Sequence, residues 1–438
     1  MTDVLQEIPA VVDRLRAAFR SGRTKPLSWR REQLGALRAM LTEQEDAFAA
    51  ALFADLAKNA EEAKRTEIYF VVREIDHTLA HLDAWLAPED AELPAHLLPG
   101  RGTVVREPLG LVLVIGPWNY PLQLVLAPLV GALAAGNAGV LKPSELAPAT
   151  TAAIARFVPQ YLDQEAVAVV EGAIPETTAL LEQQFDHIFY TGNGMVGRIV
   201  MTAAAKHLTP VALELGGKSP VVVDAEVDPV VTAQRLVETK FLNAGQTCVA
   251  PDYVLAIGEA GGKLEAALAD AVRAKFGDDP SESPVYGRIV NHRHFDRLST
   301  LLASGRVVVG GQTDREHKYI APTVLADVSP DSPVMGEEIF GPILPIIAVP
   351  DLDAAIEFIT SRDKPLALYA FTESEPSKER ILAETSSGAV GFGLPVMHLG
   401  VPSLPFGGVG ESGMGRYHGK YSIDTFSHLK AVLDKPLA

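Results

Sequence analysis

The chain has 438 residues and only one cysteine, Cys248. A single cysteine cannot form an internal disulfide, and such sparse use of cysteine is typical of a reducing compartment. We therefore expect a cytoplasmic protein whose thiol has a chemical or steric role rather than a cross-linking one. A lone cysteine is also commonly a small buried apolar residue, so both interpretations stay open at this point.

Basic residues are scarce relative to acidic ones, 38 against 55, which gives a formal net charge of −17. The sequence also has no run rich in lysine or arginine. Because nucleic-acid binding needs a basic surface, this balance argues against a nucleic-acid partner. With 47% hydrophobic and 21% charged residues, the composition is that of an ordinary globular protein.

Uninterrupted apolar segments are scarce as well. No charged residue occurs between Glu107 and Lys142, but prolines and asparagines interrupt this segment. No stretch of about 20 apolar residues remains, so we expect no membrane span. The acids Asp3, Glu7 and Asp13 in the first apolar stretch predict an amphipathic helix rather than a signal peptide.

The order of the apolar segments predicts an α/β fold. The first ninety residues have helical periodicity, and alternating strand and helix patterns begin with GLVLVIG, residues 110–116. Repeated strand–helix units with fully apolar strands predict a doubly wound parallel sheet. A second such series follows Val221. The glycine-rich tail from Pro402 is interpreted either as a loop that returns over a site or as an oligomerisation arm.

Histidine pairs give only weak evidence for a metal site. His77 and His81 have the i, i+4 spacing of ligands on a helix, but the glutamate of a zinc-protease helix is missing and no third ligand is near in sequence. A solvated helix face is therefore favoured. We expect His292 and His294 to be exposed at the start of a helix, and we expect no metal.

The segment TGNGMVG, Thr191 to Gly197, follows an apolar strand and opens a predicted helix. Backbone N–H groups and the helix dipole favour a phosphate at such a turn. The segment lacks the G-x-G-x-x-G spacing of the standard dinucleotide fingerprint. A role in packing or turn geometry therefore stands beside a role in cofactor binding.

The surroundings of Cys248 favour a functional thiol. It ends the polar turn NAGQTC, between a predicted helix that stops at Gly245 and an extended run after Pro251. Structural thiols more often lie within apolar runs, whereas functional residues favour loops on a rigid scaffold.

Several motifs together resemble the aldehyde dehydrogenase superfamily, and most closely its class 3 branch. They are PWNYP (117–121), LELGGKSP (213–220), FLNAGQTCVAPDYV (241–254) and EEIFGP (337–342). The resemblance implies the α/β fold of that family, with a doubly wound parallel-sheet cofactor domain, an α/β catalytic domain and a small β oligomerisation arm. The implied domains are 1–91 with 111–214 for NAD(P) binding, 215–400 for catalysis, and 92–110 with 401–438 for the arm.

The resemblance implies three catalytic residues. Cys248 would be the nucleophile, Asn119 would donate a hydrogen bond to the developing oxyanion, and Glu214 would activate water. Thiolate addition forms a thiohemiacetal and then a thioester, which divides one difficult oxidation into two easier steps. Because Glu214 lies in the apolar run VALELGG, we expect burial to raise its pKa.

The resemblance also implies a dinucleotide site. Lys142 and Glu145 would bind the adenosine ribose, Glu338 the nicotinamide ribose, and Phe340 would pack near the nicotinamide. The other implied contacts are Trp118, Gly192, Asn193, Gly197 and Leu215. We expect NAD, since a carboxylate at Glu145 repels a 2′-phosphate; Lys142 would offset that repulsion, so NADP stays possible.

Two positions depart from the family pattern. The turn has Gly194 and Met195 where relatives usually have threonine and a variable residue, which would affect only the strength of cofactor binding. Gly393 stands where relatives usually have asparagine, and we expect altered substrate preference or a looser catalytic loop. Kinetics on several aldehydes and a structure of Gly393→Asn that both matched the parent would refute this expectation.

The implied function is NAD(P)-dependent oxidation of aldehydes to carboxylic acids by a homodimer. The alternatives are a CoA-acylating aldehyde dehydrogenase, a non-catalytic protein that retains the fold, and a thiol hydrolase. The motifs do not identify the aldehyde, and medium-chain aliphatic and aromatic aldehydes both stay open.

Overall fold

The computed structural model describes residues 2–437. The α-helices are α1 (Thr2–Arg20), α2 (Leu27–Glu43), α3 (Glu45–Leu56), α4 (Ala60–Ala63), α5 (Tyr69–Leu86), α6 (Gln123–Ala135), α7 (Pro148–Tyr161), α8 (Ile174–Leu181), α9 (Gly194–Ala205), α10 (Pro229–Lys240), α11 (Ala260–Phe276), α12 (His292–Leu301), α13 (Leu352–Thr360), α14 (Glu375–Glu384) and α15 (Lys420–Thr425). A π-helical turn, Lys64–Ile68, joins α4 to α5.

The strands fall into three main sheets and one short hairpin. They are β1 (Glu89–Ala91), β2 (Arg101–Pro108), β3 (Leu111–Ile115), β4 (Ala138–Lys142), β5 (Val167–Val169), β6 (His187–Thr191), β7 (Val211–Glu214), β8 (Pro220–Val223), β9 (Tyr253–Ile257), β10 (Arg306–Val309), β11 (Thr313–Asp314), β12 (Tyr319–Ile320), β13 (Thr323–Ala326), β14 (Ile343–Val349), β15 (Ala367–Phe371), β16 (Ala389–Phe392), β17 (Gly413–Met414) and β18 (Ser427–Asp434).

The first large sheet has the order β17-β7-β6-β3-β4-β5 and is parallel except for β17. Its central strand β3 is buried along its whole length, as the apolar run LVLVI predicts. The following helix α6 is also buried throughout and ends where Gly136 adopts a φ of 94°, a conformation that glycine takes without strain. The predicted strand, helix and helix stop are confirmed here.

The second large sheet has the order β10-β13-β14-β9-β8-β15-β16 and is parallel except for β10. It contains the second series of strands that the sequence predicts after Val221. Strand β8, PVVV, is fully buried and pairs with β9, which follows the cysteine turn. The doubly wound α/β fold is confirmed.

The third sheet is small and antiparallel, with the order β1-β2-β18. Residues between Pro402 and β18 do not join it, because β17 pairs with β7 and α15 packs on α6. The tail therefore first returns to the edge of the first sheet, where β17 pairs with β7, and then forms β18 of the small antiparallel sheet. The exact domain boundaries stay a prediction. Within residues 2–437, no helix is long and apolar enough to cross a membrane.

Candidate active site

Cys248 lies in a tightly held turn between α10 and β9. Asn243 and Ala244, five and four residues before it, have left-handed φ angles of 51° and 53°, which cost free energy unless the surroundings hold them. The Gln246 side chain provides such a hold: its Nε2 donates to the Asn243 carbonyl at 2.9 Å, and its Oε1 accepts from the Val290 amide at 3.0 Å. The thiol is partly exposed, although both neighbouring residues are buried.

Asn119 follows β3 and reaches this same turn. Its side-chain Nδ2 donates to the Gln246 carbonyl at 3.1 Å, and its own carbonyl accepts from Asn243 Nδ2 at 2.8 Å. The residue is only 3% exposed. A carboxamide carries two N–H donors, and one hydrogen bond from this group is present among the described residues. The second N–H of the carboxamide therefore has no partner among the described residues.

Glu214 ends β7 and is 2% exposed. Neither of its carboxyl oxygens has a hydrogen-bond partner within the described part of the chain. Burial raises the pKa of Glu214 well above its usual value, as the sequence predicts.

Three of the residues named from the sequence interact electrostatically. Burial raises the pKa of the Cys248 thiol, and the negative charges of Glu338 and Glu214 raise it further, while the backbone amides of Cys248 and Val249 oppose them. The structure thus brings these carboxylates, which are distant in sequence, close enough to Cys248 to act on its thiol. At rest the thiol is protonated at neutral pH.

An aromatic wall lies next to Glu338. The Phe340 ring packs edge-on against Trp118 at a centroid distance of 5.3 Å, and Trp118 contacts the His294 ring at 5.1 Å. The expectation that His294 is exposed was wrong, since it is half-buried at this wall, whereas His292 is exposed. The position at the helix start was visible in the sequence, but the ring packing was not.

A cleft of about 930 Å³ lies at Glu338, and neither Trp118 nor Phe340 lines it. Its lining includes Asn193, Gly194 and Glu338, which the sequence singled out, and also Gly216 and Lys218. A Cβ on Gly216 would lie 1.9 Å from Glu338 Oε2, so any other residue at this position would displace the carboxylate. Burial, together with the negative charge of Asp252, raises the pKa of Glu338 to about 8.

Lys142 and Glu145 lie at the carboxyl end of β4. Lys142 is 2% exposed; its Nζ donates to the Pro143 carbonyl at 2.6 Å and lies 3.7 Å from the Glu145 carboxylate. Burial lowers the pKa of Lys142, and Glu145 opposes that effect. The pair thus joins a buried cation to a half-exposed acid.

The glycine-rich turn before α9 also has a packing role. A Cβ on Gly192 would lie 2.2 Å from Tyr190 Oη, and one on Gly197 would lie 3.0 Å from a methyl group of Leu215. Asn193 caps the helix, since its Oδ1 accepts from the Val196 amide at 3.0 Å. Both interpretations of TGNGMVG are therefore compatible with the structure: close packing explains the glycines, and the helix N-terminus lines the cleft.

Gly393 connects the end of β16 to the helix before the cysteine turn. Its φ is 71°, and its carbonyl accepts from Arg235 of α10 at 2.8 Å. A side chain at this position would meet the Arg235 guanidinium at 3.3 Å. Asparagine tolerates this backbone conformation better than most residues, so the link to α10 is the feature that Gly393→Asn would perturb.

The histidines His77 and His81 on α5 pack in an aromatic stack with Trp85. The His77 and His81 rings are 4.5 Å apart, and Trp85 stacks on His81 at 5.1 Å. Over the part of the chain that the structure describes, no group of three or more His, Cys, Asp or Glu side chains could hold a metal ion.

Three buried charged residues at this site were not predicted from the sequence. Lys58, Glu62 and Glu67 come from the helical region before α5, and each makes a hydrogen bond to the Asn119 loop or to the turn before Cys248. Helical periodicity gave no reason to single them out.

Comparison with known proteins identifies the family. The family model described as "Aldehyde dehydrogenase family" matches residues 5–432. The chain belongs to the aldehyde dehydrogenase family. Bovine aldehyde dehydrogenase family 3 member B1 is 54% identical over 422 residues, which cover 96% of this chain and 90% of the relative. The canine "Aldehyde dehydrogenase, dimeric NADP-preferring" is 48% identical and covers 99% of this chain and 96% of its own length.

A similar solved structure is that of a Staphylococcus aureus aldehyde dehydrogenase in a substrate-bound state. It is 45% identical to this chain with a TM-score of 0.96, and the match covers 98% of this chain and 94% of the Staphylococcus aureus chain. The resemblance inferred from the motifs is confirmed. The chain is an NAD(P)-dependent oxidoreductase that acts on aldehydes.

Proposed function

We propose that this aldehyde dehydrogenase works through a covalent thioester on Cys248, with Asn119 as the oxyanion donor and Glu214 as the base for hydrolysis. The observation that carries the proposal is the meeting of these residues: Asn119 bonds to the cysteine turn at 3.1 Å, and the charge of Glu214 acts on the thiol. This arrangement favours an enzyme over a non-catalytic protein that retains the fold.

The first half of the reaction forms the thioester. The Cys248 thiol loses its proton to water, and the resulting thiolate adds to the aldehyde carbon to form a thiohemiacetal oxyanion, which accepts hydrogen bonds from Asn119 Nδ2 and the Cys248 amide. Bound NAD(P) would supply the hydride acceptor. The negative charge on oxygen supplies the electron pair that re-forms the carbonyl as the hydride leaves. Two preorganised donors stabilise this oxyanion more strongly than water does.

The second half hydrolyses the thioester. Glu214 removes a proton from water, the hydroxide adds to the acyl carbon, and the C–S bond breaks to release the acid and the Cys248 thiol. Both Glu214 oxygens lack a hydrogen-bond partner among the described residues, so both can accept a hydrogen bond from a water. A CoA-acylating enzyme would not need this base, so Glu214 favours water as the acyl acceptor.

The residues around the cleft fit a dinucleotide. A side chain at Gly216 would displace the Glu338 carboxylate, and the α9 N-terminus lines the same cleft. We assign Glu338, which lines the cleft, to the nicotinamide ribose; Lys142 and Glu145 do not line it, and we assign them to the adenosine ribose from the family resemblance alone. NAD is the proposed cofactor because Glu145 disfavours a 2′-phosphate, and the NADP preference in the name of the canine relative makes NADP the alternative.

A homodimer is proposed from the arm sheet. Strand β18 is an edge of that sheet over eight residues, and its Leu429 and Leu433 are 52% and 56% exposed. Long exposed edge strands with apolar side chains pair readily with another chain. The canine relative is described as dimeric. A cytoplasmic location is proposed from the single reduced cysteine.

The test is Cys248→Ala, assayed with a panel of aliphatic and aromatic aldehydes, with NAD and with NADP, in the presence and absence of CoA. We expect aldehyde-dependent formation of reduced cofactor to be lost in the variant while calorimetry still detects cofactor binding. Turnover that survives the substitution would overturn the nucleophile assignment. An acyl-CoA product from the parent enzyme would instead establish the CoA-acylating alternative.

A further inference from the structure

The segment between α3 and α5 contains a π-helical turn, Lys64–Ile68, that changes which residues share a face. In a regular α-helix, residues five apart point about 140° away from each other. A π turn closes its hydrogen bonds over five residues, so Glu62 and Glu67 come onto nearly the same side. Both are buried, with exposures of 5% and 0%. Single π turns in helices frequently occur at functional sites.

Glu67 connects this turn to the oxyanion loop. One carboxylate oxygen lies 2.5 Å from Lys58 Nζ, and the other accepts from the Leu122 and Gln123 amides at 2.9 and 3.1 Å. These amides open α6, immediately after the PWNYP motif. A carboxylate at a helix N-terminus also interacts favourably with the helix dipole. Glu67 therefore fixes where the loop of Asn119 enters α6.

Lys58 connects the same pair to Asn119 itself. Its fully buried Nζ donates to the Asn119 carbonyl at 3.2 Å and lies 4.1 Å from the centre of the Tyr120 ring. The Tyr120 hydroxyl in turn bonds to Thr247 Oγ1 at 2.8 Å, one residue before Cys248. The lysine thus contacts the backbone on one side of the oxyanion site and, through Tyr120, the other side.

Glu62 completes the set from the neighbouring turn of the helix. Its Oε1 accepts from the Asn243 amide at 2.8 Å, and Asn243 has the left-handed φ of 51° described above. The Asn243 side chain then donates to the carbonyls of Asn119 and Gln246 at 2.8 and 3.2 Å. One helical segment therefore holds both halves of the site.

We propose that Lys58, Glu62 and Glu67 form a buried charge clamp that sets the distance between the Asn119 carboxamide and Cys248. Replacing a buried ion pair with apolar residues is often neutral or stabilising, so packing alone does not require charges at these positions. Every hydrogen bond of the clamp outside the helical segment goes to the Asn119 loop, the start of α6 or the turn before the cysteine. The three are positioning residues, and the proposal rests on the roles of Asn119 and Cys248 proposed above.

The test compares Lys58→Met and Glu67→Gln with Glu61→Gln, a change of an exposed carboxylate on the same helix. We expect kcat to fall about tenfold to a hundredfold in the first two variants, because small displacements of catalytic groups have effects of that size. The KM for the cofactor should change less than threefold, and Glu61→Gln should match the parent. Glu67→Gln keeps a carbonyl acceptor for the α6 amides, so it serves as the milder variant if Lys58→Met does not fold.

A double-mutant cycle separates positioning from general stability. If Lys58 acts through Asn119, Lys58→Met should lower kcat at least tenfold in the parent and less than threefold in Asn119→Ala. Independent, multiplicative losses, or an unchanged kcat in both clamp variants, would overturn the clamp proposal. Full activity of Asn119→Ala alone would instead overturn the oxyanion assignment, so the two failures can be told apart.

Discussion

Asn119→Ala removes the proposed side-chain donor to the oxyanion while leaving the hydrogen bonds of the loop largely intact. The Gln246 carbonyl loses its bond at 3.1 Å but keeps the one from Asn243 Nδ2 at 3.2 Å. The Asn119 carbonyl, which belongs to the backbone, keeps the donors from Lys58 and Asn243. Neither of these two carbonyls is therefore left buried without a partner.

The two consequences differ in size. Loss of one hydrogen bond of this kind costs about 1 kcal/mol of stability, so the apparent Tm should fall by no more than about 4 °C. Loss of one oxyanion donor costs about 2.7–4 kcal/mol in the transition state, or about 100- to 1,000-fold in kcat. We expect the second effect to dominate, with kcat reduced and cofactor affinity nearly unchanged.

Stopped-flow measurement of reduced-cofactor formation checks this expectation, with thermal unfolding measured alongside. The matched control is Asn137→Ala, another buried asparagine, whose Nδ2 donates to the carbonyls of Ala132 and Phe426 at 3.1 and 2.9 Å. That variant should lose more stability and keep kcat within about threefold, since the cost of Asn137→Ala is structural. A kcat loss below fivefold in Asn119→Ala, or an equal loss in both variants, would refute the reasoning.

Two further predictions concern buried carboxyl groups. Glu214→Gln should retain one turnover of reduced-cofactor formation per site while steady-state turnover falls about 100- to 10,000-fold, as a burst experiment would show; loss of the burst itself would contradict a role confined to hydrolysis. Burial raises the pKa of Glu74 from 4.5 to about 7, opposed by its hydrogen bond from the Gly419 amide at 2.6 Å. Because the folded chain binds this proton more tightly than the unfolded chain, the stability from Glu74 is complete below pH 4.5 and is lost as pH rises to about 7. Between pH 4.5 and 7.5 the free energy of unfolding of the parent should fall by about 3 kcal/mol because of Glu74, and that of Glu74→Gln should not show this part of the fall. Identical pH profiles for the two proteins would show that Glu74 is not its source.

The strands and their loops were predictable because their physics is local. Fully apolar runs such as LVLVI have few alternatives to a buried strand, and Gly136 ends α6 because its φ of 94° suits glycine. Cys248 stood out because a lone thiol in a polar turn is unusual. The raised pKa of Glu214 followed from its apolar neighbours alone, because burial is the main cause.

Features that depend on contacts between distant segments were not predictable. His294 was expected in solvent because a helix start is usually exposed, and only the fold places Trp118 against its ring. Gly192 was interpreted as a cofactor contact or a packing residue. The space at Gly192 depends on where the Tyr190 side chain points, which hydrophobic spacing does not reveal.

The charge clamp of Lys58, Glu62 and Glu67 is the clearest feature that could not be predicted from the sequence. In the sequence AKNAEEAKRTE, residues 57–67, Glu62 and Glu67 are five positions apart and fall on different faces of a regular α-helix. Periodicity analysis assumes 3.6 residues per turn, so it assigns at least one of them to solvent. The π turn alters that period over five residues and directs both carboxylates inward. Hydrophobic spacing therefore gives no sign that this charged segment is buried, because the π turn that buries it cannot be recognised from that spacing. The same argument explains why the lysine that faces them, Lys58, is found only once the Asn119 loop is in place.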